Sequence, residues 1–333
     1  MRSACTSGIR MGILATLAMA AAIRSGIPLQ TVRANITAPG PAGPLQGTLL
    51  SPINQDVPVV LIVPGSGPTD RNGNGPNGLR ASTYRLLADG LLSRGIASVR
   101  IDKRGMYGSA SAIPDADDVT LDDYAADVDS WVTTIRKRTG VSCVWVLGHS
   151  EGGLVALVAA QHTGDICGLI LLSTAGRPLG KVLREQLRSN SANAPILDNA
   201  MSILDALEAG QTVDAEKIGP SLMPLFRPRV QRFLLSELAV DPTTLLAGYG
   251  KPVLIVQGLQ DLQVGPGDAQ LLKHADPQAE LVLVANANHV LKAVRTRDRK
   301  DNLAAYSDPD RPLADHVVEV ISKFVHNSAV GQR

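Results

Sequence analysis

The chain has few aromatic residues and almost no cysteine. Of 333 residues, three are cysteine, and Phe, Trp and Tyr together make up 3%. A core drawn from the 44% hydrophobic content must therefore be built from Val, Leu, Ile and Ala. Cys5, Cys143 and Cys167 are too few and too scattered for a disulfide framework or a zinc site. The charges nearly cancel, with a formal net charge of +1, so nothing in the balance favours nucleic acid or an anionic membrane as partner. No block of five or six like charges occurs. The nearest, Arg295-Thr296-Arg297-Asp298-Arg299-Lys300-Asp301, is broken by its own acids and reads as a solvated loop. Internal repeats, low-complexity tracts and the G-K-[ST] ending of a phosphate-binding loop are also missing.

The N-terminus differs in character from the rest. Arg2 and Arg10 precede an apolar segment, residues 11–23, with small residues at Ala18, Ala20, Ala21 and Ala22. A basic start, a short apolar run and an A-x-A-like site describe a secretory signal peptide, cleaved near residues 20–22. The expected division is a signal peptide over residues 1–23 and one folded domain over 24–333, placed outside the cytoplasm, periplasmic or secreted. The apolar run is too short to span a bilayer, so no membrane span is expected after processing. An ordinary N-terminal helix, or a start at Met11, is the alternative, and it leaves the protein cytoplasmic. Cys5 precedes the apolar run, so it does not read as a lipid attachment site. Cys143 and Cys167 fall near the starts of two expected strands; as members of apolar strands they are expected to be buried thiols, neighbours without a bridge.

Short apolar runs alternate with helical patterns through most of the chain. Strands are expected over residues 45–51, 58–63, 96–101, 141–147, 167–172, 253–257 and 281–284, the first as part of an N-terminal hairpin. Between them, residues 83–94 and 121–138 carry apolar side chains at helical spacing. Gly95 closes the first helix, and Asp122 and Asp123 suit the positive end of the second. Residues 312–327 close the chain as a further helix. This alternation predicts an α/β fold with a mostly parallel sheet covered by helices on both faces. Residues 173–250 break it: helical patterns and prolines occur there, but no strand, which predicts an inserted helical cap. Leu, Met223 and Phe226 within it suggest a partly apolar pocket.

Gly148-His149-Ser150-Glu151-Gly152 is a G-x-S-x-G between an expected strand and an expected helix. That context makes it a nucleophile elbow, a turn so tight that residues two before and two after the serine must be very small. It lifts the Ser150 hydroxyl above the sheet and aims the Glu151 N–H, at a helix start, toward a developing oxyanion. A serine hydroxyl needs a base. Of six histidines, His289 follows an expected strand and lies in a loop at the carboxyl end of the sheet, where ligands meet open α/β folds. Asp261, just past the strand at 253–257, is the acid that would orient it. Asp268, the competitor, is explained as a helix cap. The loop Pro64-Gly65-Ser66-Gly67-Pro68-Thr69-Asp70-Arg71 follows the strand at 58–63, and the Ser66 N–H is its best second oxyanion donor.

With these residues in view, the chain resembles the α/β-hydrolases, in particular bacterial serine carboxylesterases and serine aminopeptidase-like enzymes, over about residues 45–325. Asp102-Lys103-Arg104-Gly105-Met106-Tyr107-Gly108 resembles the family's D-x-R-G-x-G turn, in which Arg104 is expected to hold loops beneath the site. Asn288-His289-Val290-Leu291-Lys292 and Tyr306-Ser307-Asp308-Pro309 resemble an esterase subgroup whose G-S-G-P-x-D-R loop carries the oxyanion hole. Pro64 stands where the family often has His. The resemblance implies Ser150 as nucleophile, His289 as base, Asp261 as acid, and the Ser66 and Glu151 N–H groups as oxyanion donors, with no metal or organic cofactor. The expected substrate is a small carboxylic ester with a short to medium acyl chain. A peptidase, thioesterase or acyltransferase using the same triad, or an idle binding protein of this fold, is the alternative. Nothing in the sequence bears on oligomeric state.

Overall fold

Alternate residues of four central strands face opposite layers, and this period of two organises the molecule. Val59, Leu61 and Val63 enter one apolar cluster while Val60 and Ile62 enter the other; Val144 and Val146 are likewise opposed to Trp145 and Leu147. The computed structural model describes Met1, residues 30–53 and residues 56–330, so the body of the expected signal peptide lies outside the described residues. The eight strands are β1 (Thr31–Ala38), β2 (Leu45–Pro52), β3 (Val59–Val63), β4 (Ala97–Ile101), β5 (Val144–His149), β6 (Ile166–Leu172), β7 (Val253–Gly258) and β8 (Glu280–Val284). They form one sheet in the order β1-β2-β4-β3-β5-β6-β7-β8. β1 and β2 pair antiparallel, β2 meets β4 antiparallel, and every later pairing is parallel. The expected mostly parallel sheet is thus present, with an antiparallel hairpin at one edge.

On one face lie α1 (Thr83–Ser93) and, at the far end of the chain, the helix Val317–Val330, which share a cluster with Trp145, Leu147 and Ile170. The other face carries α2 (Leu121–Thr139) and α3 (Glu151–Ala159), packed around Leu61, Val146 and Leu169. The start of α2 is more specific than its acidic first turn suggested. Thr120 Oγ1 accepts the Asp123 N–H at 3.2 Å and the Asp123 carboxylate accepts the Thr120 N–H at 2.8 Å, a reciprocal capping box. Gly140, in the left-handed region at φ 80°, ends the helix.

Between β6 and β7 the described chain forms no strand. Helices α4 (Leu179–Ser189) and α5 (Leu197–Glu208) are followed by short turns and by α6 (Gln231–Leu238). They surround a third apolar cluster built on Ile203, Leu204, Leu207, Leu222, Phe226 and Leu234. A short helix, Pro242–Ala247, returns to the sheet, and its Leu246 belongs to the cluster beside α3. Arg227, Arg229 and Arg232 pair with Asp117, Asp115 and Asp118 in the loop before α2, so these helices are seated partly by exposed ion pairs.

Two expectations are corrected. Cys143 and Cys167 are joined by a disulfide with their Cα atoms 5.1 Å apart. Their strands are hydrogen-bonded neighbours, Val144 opposite Ile166, so the two sulfurs meet across the sheet and are not separate thiols. The segment read as a solvated loop is exposed from Arg295 to Lys300, but a helix, Arg299–Ala304, begins within it. The Asp298 side chain accepts the Asp301 N–H at 2.9 Å, a cap that outweighs the mixed charges.

Candidate active site

The elbow is as tight as its glycines require. Ser150 sits at φ 54° and ψ −121°, a sparsely populated conformation for a side-chain-bearing residue, between β5 and α3. A Cβ on Gly148 would stand 2.2 Å from the Gly152 carbonyl oxygen, and one on Gly152 would stand 2.4 Å from the Val63 carbonyl oxygen. A side chain at either position would force the turn apart. The turn is held by the Ser150 N–H on the Leu172 carbonyl and the Gly153 N–H on the Ser150 carbonyl, both at 2.9 Å.

Asp261 and His289 are brought into direct contact. Asp261 is 1% exposed, His289 is 5% exposed, and His289 Nδ1 lies 2.8 Å from Asp261 Oδ2. The loops are stitched together before the side chains meet, because Leu259 N–H bonds the Val284 carbonyl and Gln260 N–H bonds the Ala287 carbonyl, each at 2.9 Å. Asp261 Oδ1 accepts the N–H groups of Gln263 and Val264, and Gln257 Nε2 donates to Oδ2. Burial pushes the Asp261 carboxyl up, yet the His289 charge and these hydrogen bonds outweigh it and hold the group below the usual carboxylate value. A carboxylate can only accept, so His289 Nδ1 is the donor in this contact. No hydrogen bond joins the Ser150 hydroxyl to His289 among the described residues. The two are linked instead through the neighbouring residue, whose ring His149 Nε2 donates to the His289 carbonyl at 2.8 Å.

His149 is a residue that the sequence offered no role. Its Nδ1 accepts from the Tyr84 hydroxyl at 2.9 Å, and that oxygen in turn accepts the Gly65 N–H at 2.9 Å. One chain of hydrogen bonds therefore runs from the loop after β3 through α1 to the His289 loop. Burial first, then the nearby His289, lowers the His149 pKa to about 4, so its neutral form is the one that fits.

Ser66 and Glu151 meet at the mouth of the elbow. Neither backbone N–H has a hydrogen-bond partner among the described residues, and both residues line a small cavity of about 140 Å³ together with Ser150. Lys103 organises them. Its ammonium donates to the Gly65 carbonyl at 2.8 Å and to Glu151 Oε1 at 3.0 Å, with both side chains almost fully buried. In a trans peptide the C=O and N–H point opposite ways, so holding the Gly65 carbonyl turns the Ser66 N–H away from Lys103. Asp102 anchors the far side of the same loop through the Arg71 backbone N–H and guanidinium. Arg104, expected to hold loops, grips helix α2 instead, with two bonds of 2.7 Å to Asp127 and one of 3.0 Å to Asp123. Asp268 is likewise not a cap: Gly265 precedes that helix, and Asp268 pairs with Arg177. Gly73, Gly75 and Gly78 have the G-x-G-x-x-G spacing of a dinucleotide loop. They lie in a turn tied by Asp70 Oδ1 to the N–H groups of Asn72 and Asn74, well before α1 begins.

A second, larger cavity of about 990 Å³ opens beside the first and shares Ser66, Glu151, Leu179, Leu183 and Glu237 with it. Its walls come from the loops after β3 and β4, from α2, and from α4 and α6 of the cap. Lys103 and Glu237, both buried there, were not singled out by the sequence; an isolated Lys or Glu carries no pattern.

The model of the family described as serine aminopeptidase, S33, matches residues 78–292. The chain belongs to that family, within the α/β-hydrolases. It is similar to Esterase EstD of Thermotoga maritima, 27% identical over 241 residues, which cover 70% of this chain and 54% of that protein. A Moraxella lipase, Lipase 3, is 23% identical over 199 residues, covering 56% and 63%. The chain thus spans less than two thirds of either relative. Among solved structures, Est1E of Butyrivibrio proteoclasticus with ferulic acid bound shares the fold at a TM-score of 0.55 and 19% identity, covering 89% of this chain and 98% of that one.

Two outcomes follow from the buried contacts. Lys103→Met leaves the Glu151 carboxylate buried and unpaired, so urea unfolding should show a loss of about 3–5 kcal/mol. Adding Glu151→Gln should recover most of it; no recovery would mean that the pair is not what holds the loop. His149, with its folded pKa depressed, supports the native state above pH 6.5 and loses that support as pH falls toward 4. Unfolding midpoints between those pH values should drop by the equivalent of roughly 3 kcal/mol. His149→Asn should flatten this part of the pH dependence, and an unchanged slope would assign it to other groups.

Proposed function

We propose that this chain is a serine ester hydrolase that works through an acyl-enzyme on Ser150. The observation that carries the reading is the buried 2.8 Å contact of His289 Nδ1 with the Asp261 carboxylate, made next to a serine held in a strained turn. In this reading His289 Nε2 takes the Ser150 proton as the hydroxyl attacks the ester carbonyl. Asp261 keeps the imidazole in the productive tautomer and stabilises the imidazolium without itself being protonated. The N–H groups of Ser66 and Glu151 receive the oxyanion, each such donor being worth roughly 2.7–4 kcal/mol to the transition state. His289 then returns its proton to the leaving alcohol, and a water activated by the same ring clears the acyl group. The absence of a Ser150–His289 hydrogen bond is compatible with this, because catalytic contacts in empty sites are commonly long and tighten on substrate binding. The small cavity beside Ser150 favours a short acyl group, and the esterase and lipase names of the relatives favour esters.

A fluorophosphonate probe should label the wild-type protein and leave Ser150→Ala unlabelled, and the wild type should cleave short p-nitrophenyl esters. Labelling that persists in Ser150→Ala would sink the assignment. Aminoacyl and peptide amides run in parallel test the peptidase alternative.

We also infer export from the cytoplasm. The basic and apolar pattern of residues 1–23 supports it, and so does the Cys143–Cys167 disulfide, a bond that persists in oxidising compartments. Intact-mass analysis of protein recovered from its host should find residues missing from the N-terminus and the two cysteines oxidised. An intact Met1 would end the export reading.

A further inference from the structure

The large cavity is lined by one carboxyl that has no partner among the described residues. Glu237, on α6, is 5% exposed and lines both the large cavity and the small one beside Ser150. The other charged side chains on the large cavity's wall are matched. Lys103 pairs with Glu151, Arg227 pairs with Asp117, and Asp70 accepts two backbone N–H groups. Glu237 has neither a hydrogen bond nor an ion pair among the described residues. Around it the wall is mostly apolar, with Met106, Val119, Leu225, Phe233 and Leu234 contributing. The residue lines the cavity, so a group that enters it can reach the carboxyl. A ligand in the cavity would supply the missing partner.

The chemistry of that partner follows from what faces the carboxyl. Glu151 approaches from the start of α3, Lys103 from the loop after β4 and Tyr124 from α2. Lys103 already donates to Glu151 and to the Gly65 carbonyl. Burial first, then the Glu151 charge, raises the Glu237 pKa well above the usual carboxylate range, against the pull of Lys103. Burial and the Glu151 charge thus both favour the protonated form, which can donate as well as accept. Size points the same way: about 990 Å³ accommodates a bulky organic group, whereas about 140 Å³ lies beside the serine.

Building on the Ser150 reading, we propose that Glu237 is a specificity-determining residue that hydrogen-bonds a hydroxyl on the larger half of the substrate. The preferred substrates are then esters that join a short group to a bulky, mainly apolar ring or chain bearing a hydroxyl. Plain alkyl esters fit the small cavity and leave Glu237 unsatisfied.

The test compares a matched pair of bulky ring esters that differ by one hydroxyl, with a third analogue carrying an ammonium group at the same place. In the wild type, kcat/KM should favour the hydroxylated ester by about 10–100-fold. Glu237→Leu should bring the ratio close to one. Glu237→Gln should keep most of it, since an amide also donates and accepts. A ratio unmoved by Glu237→Leu, or a preference for the ammonium ester, overturns the proposal. Thermal melting of each variant shows whether it is folded. Titration of the same ligand pair into Ser150→Ala by calorimetry decides the matter independently of turnover. Tighter binding of the hydroxylated ligand, lost on adding Glu237→Leu, supports the proposal, and equal affinities overturn it. A wild type inactive on every ester, p-nitrophenyl acetate included, counts against the Ser150 reading and leaves the binding comparison to judge Glu237.

Discussion

Lys103 is a buried cation with two obligations, and the geometry of the site depends on both. Its ammonium touches the Gly65 carbonyl on one side and the Glu151 carboxylate on the other. The first contact sets the orientation of the Gly65–Ser66 peptide; the second fixes the residue after the elbow serine. Two residues from distant parts of the chain, Ser66 and Glu151, thereby line the same small cavity. Lys103 lies two residues past the end of β4, so its position is tied to the sheet. A buried pair of this kind is a weak source of net stability, and its value here is positional.

A second link, made of neutral groups, reinforces the first. Tyr84 and His149 carry a hydrogen-bond chain from the Gly65 N–H to the His289 carbonyl. Both backbone groups of Gly65 are therefore held, its carbonyl by Lys103 and its N–H by Tyr84. The loop that bears His289 is braced at its backbone as well as by Asp261. Thr83, at the start of α1, adds a hydrogen bond of 2.9 Å to the Val290 carbonyl. Rigidity at the site thus comes from groups that stand behind the candidate catalytic side chains.

The sheet was legible because parallel strands buried on both faces are written as short apolar runs, and helices between them show their period. The elbow was legible for a steric reason, since only glycine tolerates the 2.2 Å approach at Gly148. Asp261 and His289 could be picked out because each follows a strand end that faces the same edge. Other parts could not be read locally. The role of His149 depends on Tyr84, 65 residues away, and that of Lys103 on Glu151, 48 residues away. Glu237 acquires meaning only when α6 folds over α2. The disulfide was missed because spacing in sequence does not reveal register, and it was the pairing of β5 with β6 that set Cys143 beside Cys167. Arg104 was placed under the right region but on the wrong partner, because a guanidinium three residues past a strand reaches a helix as readily as a loop.

The helices between β6 and β7 have an apolar cluster of their own, distinct from the two that sandwich the sheet. Ile203, Leu204, Leu207 and Phe226 pack with one another and not with the residues beneath Asp261 and His289. Leu234 of the same cluster lines the large cavity, so repacking this cluster acts on that wall and not on the packing under the sheet edge. The two halves of the molecule are therefore free to drift at different rates. A change in one core can thus alter the cavity wall without disturbing the support of Asp261 and His289.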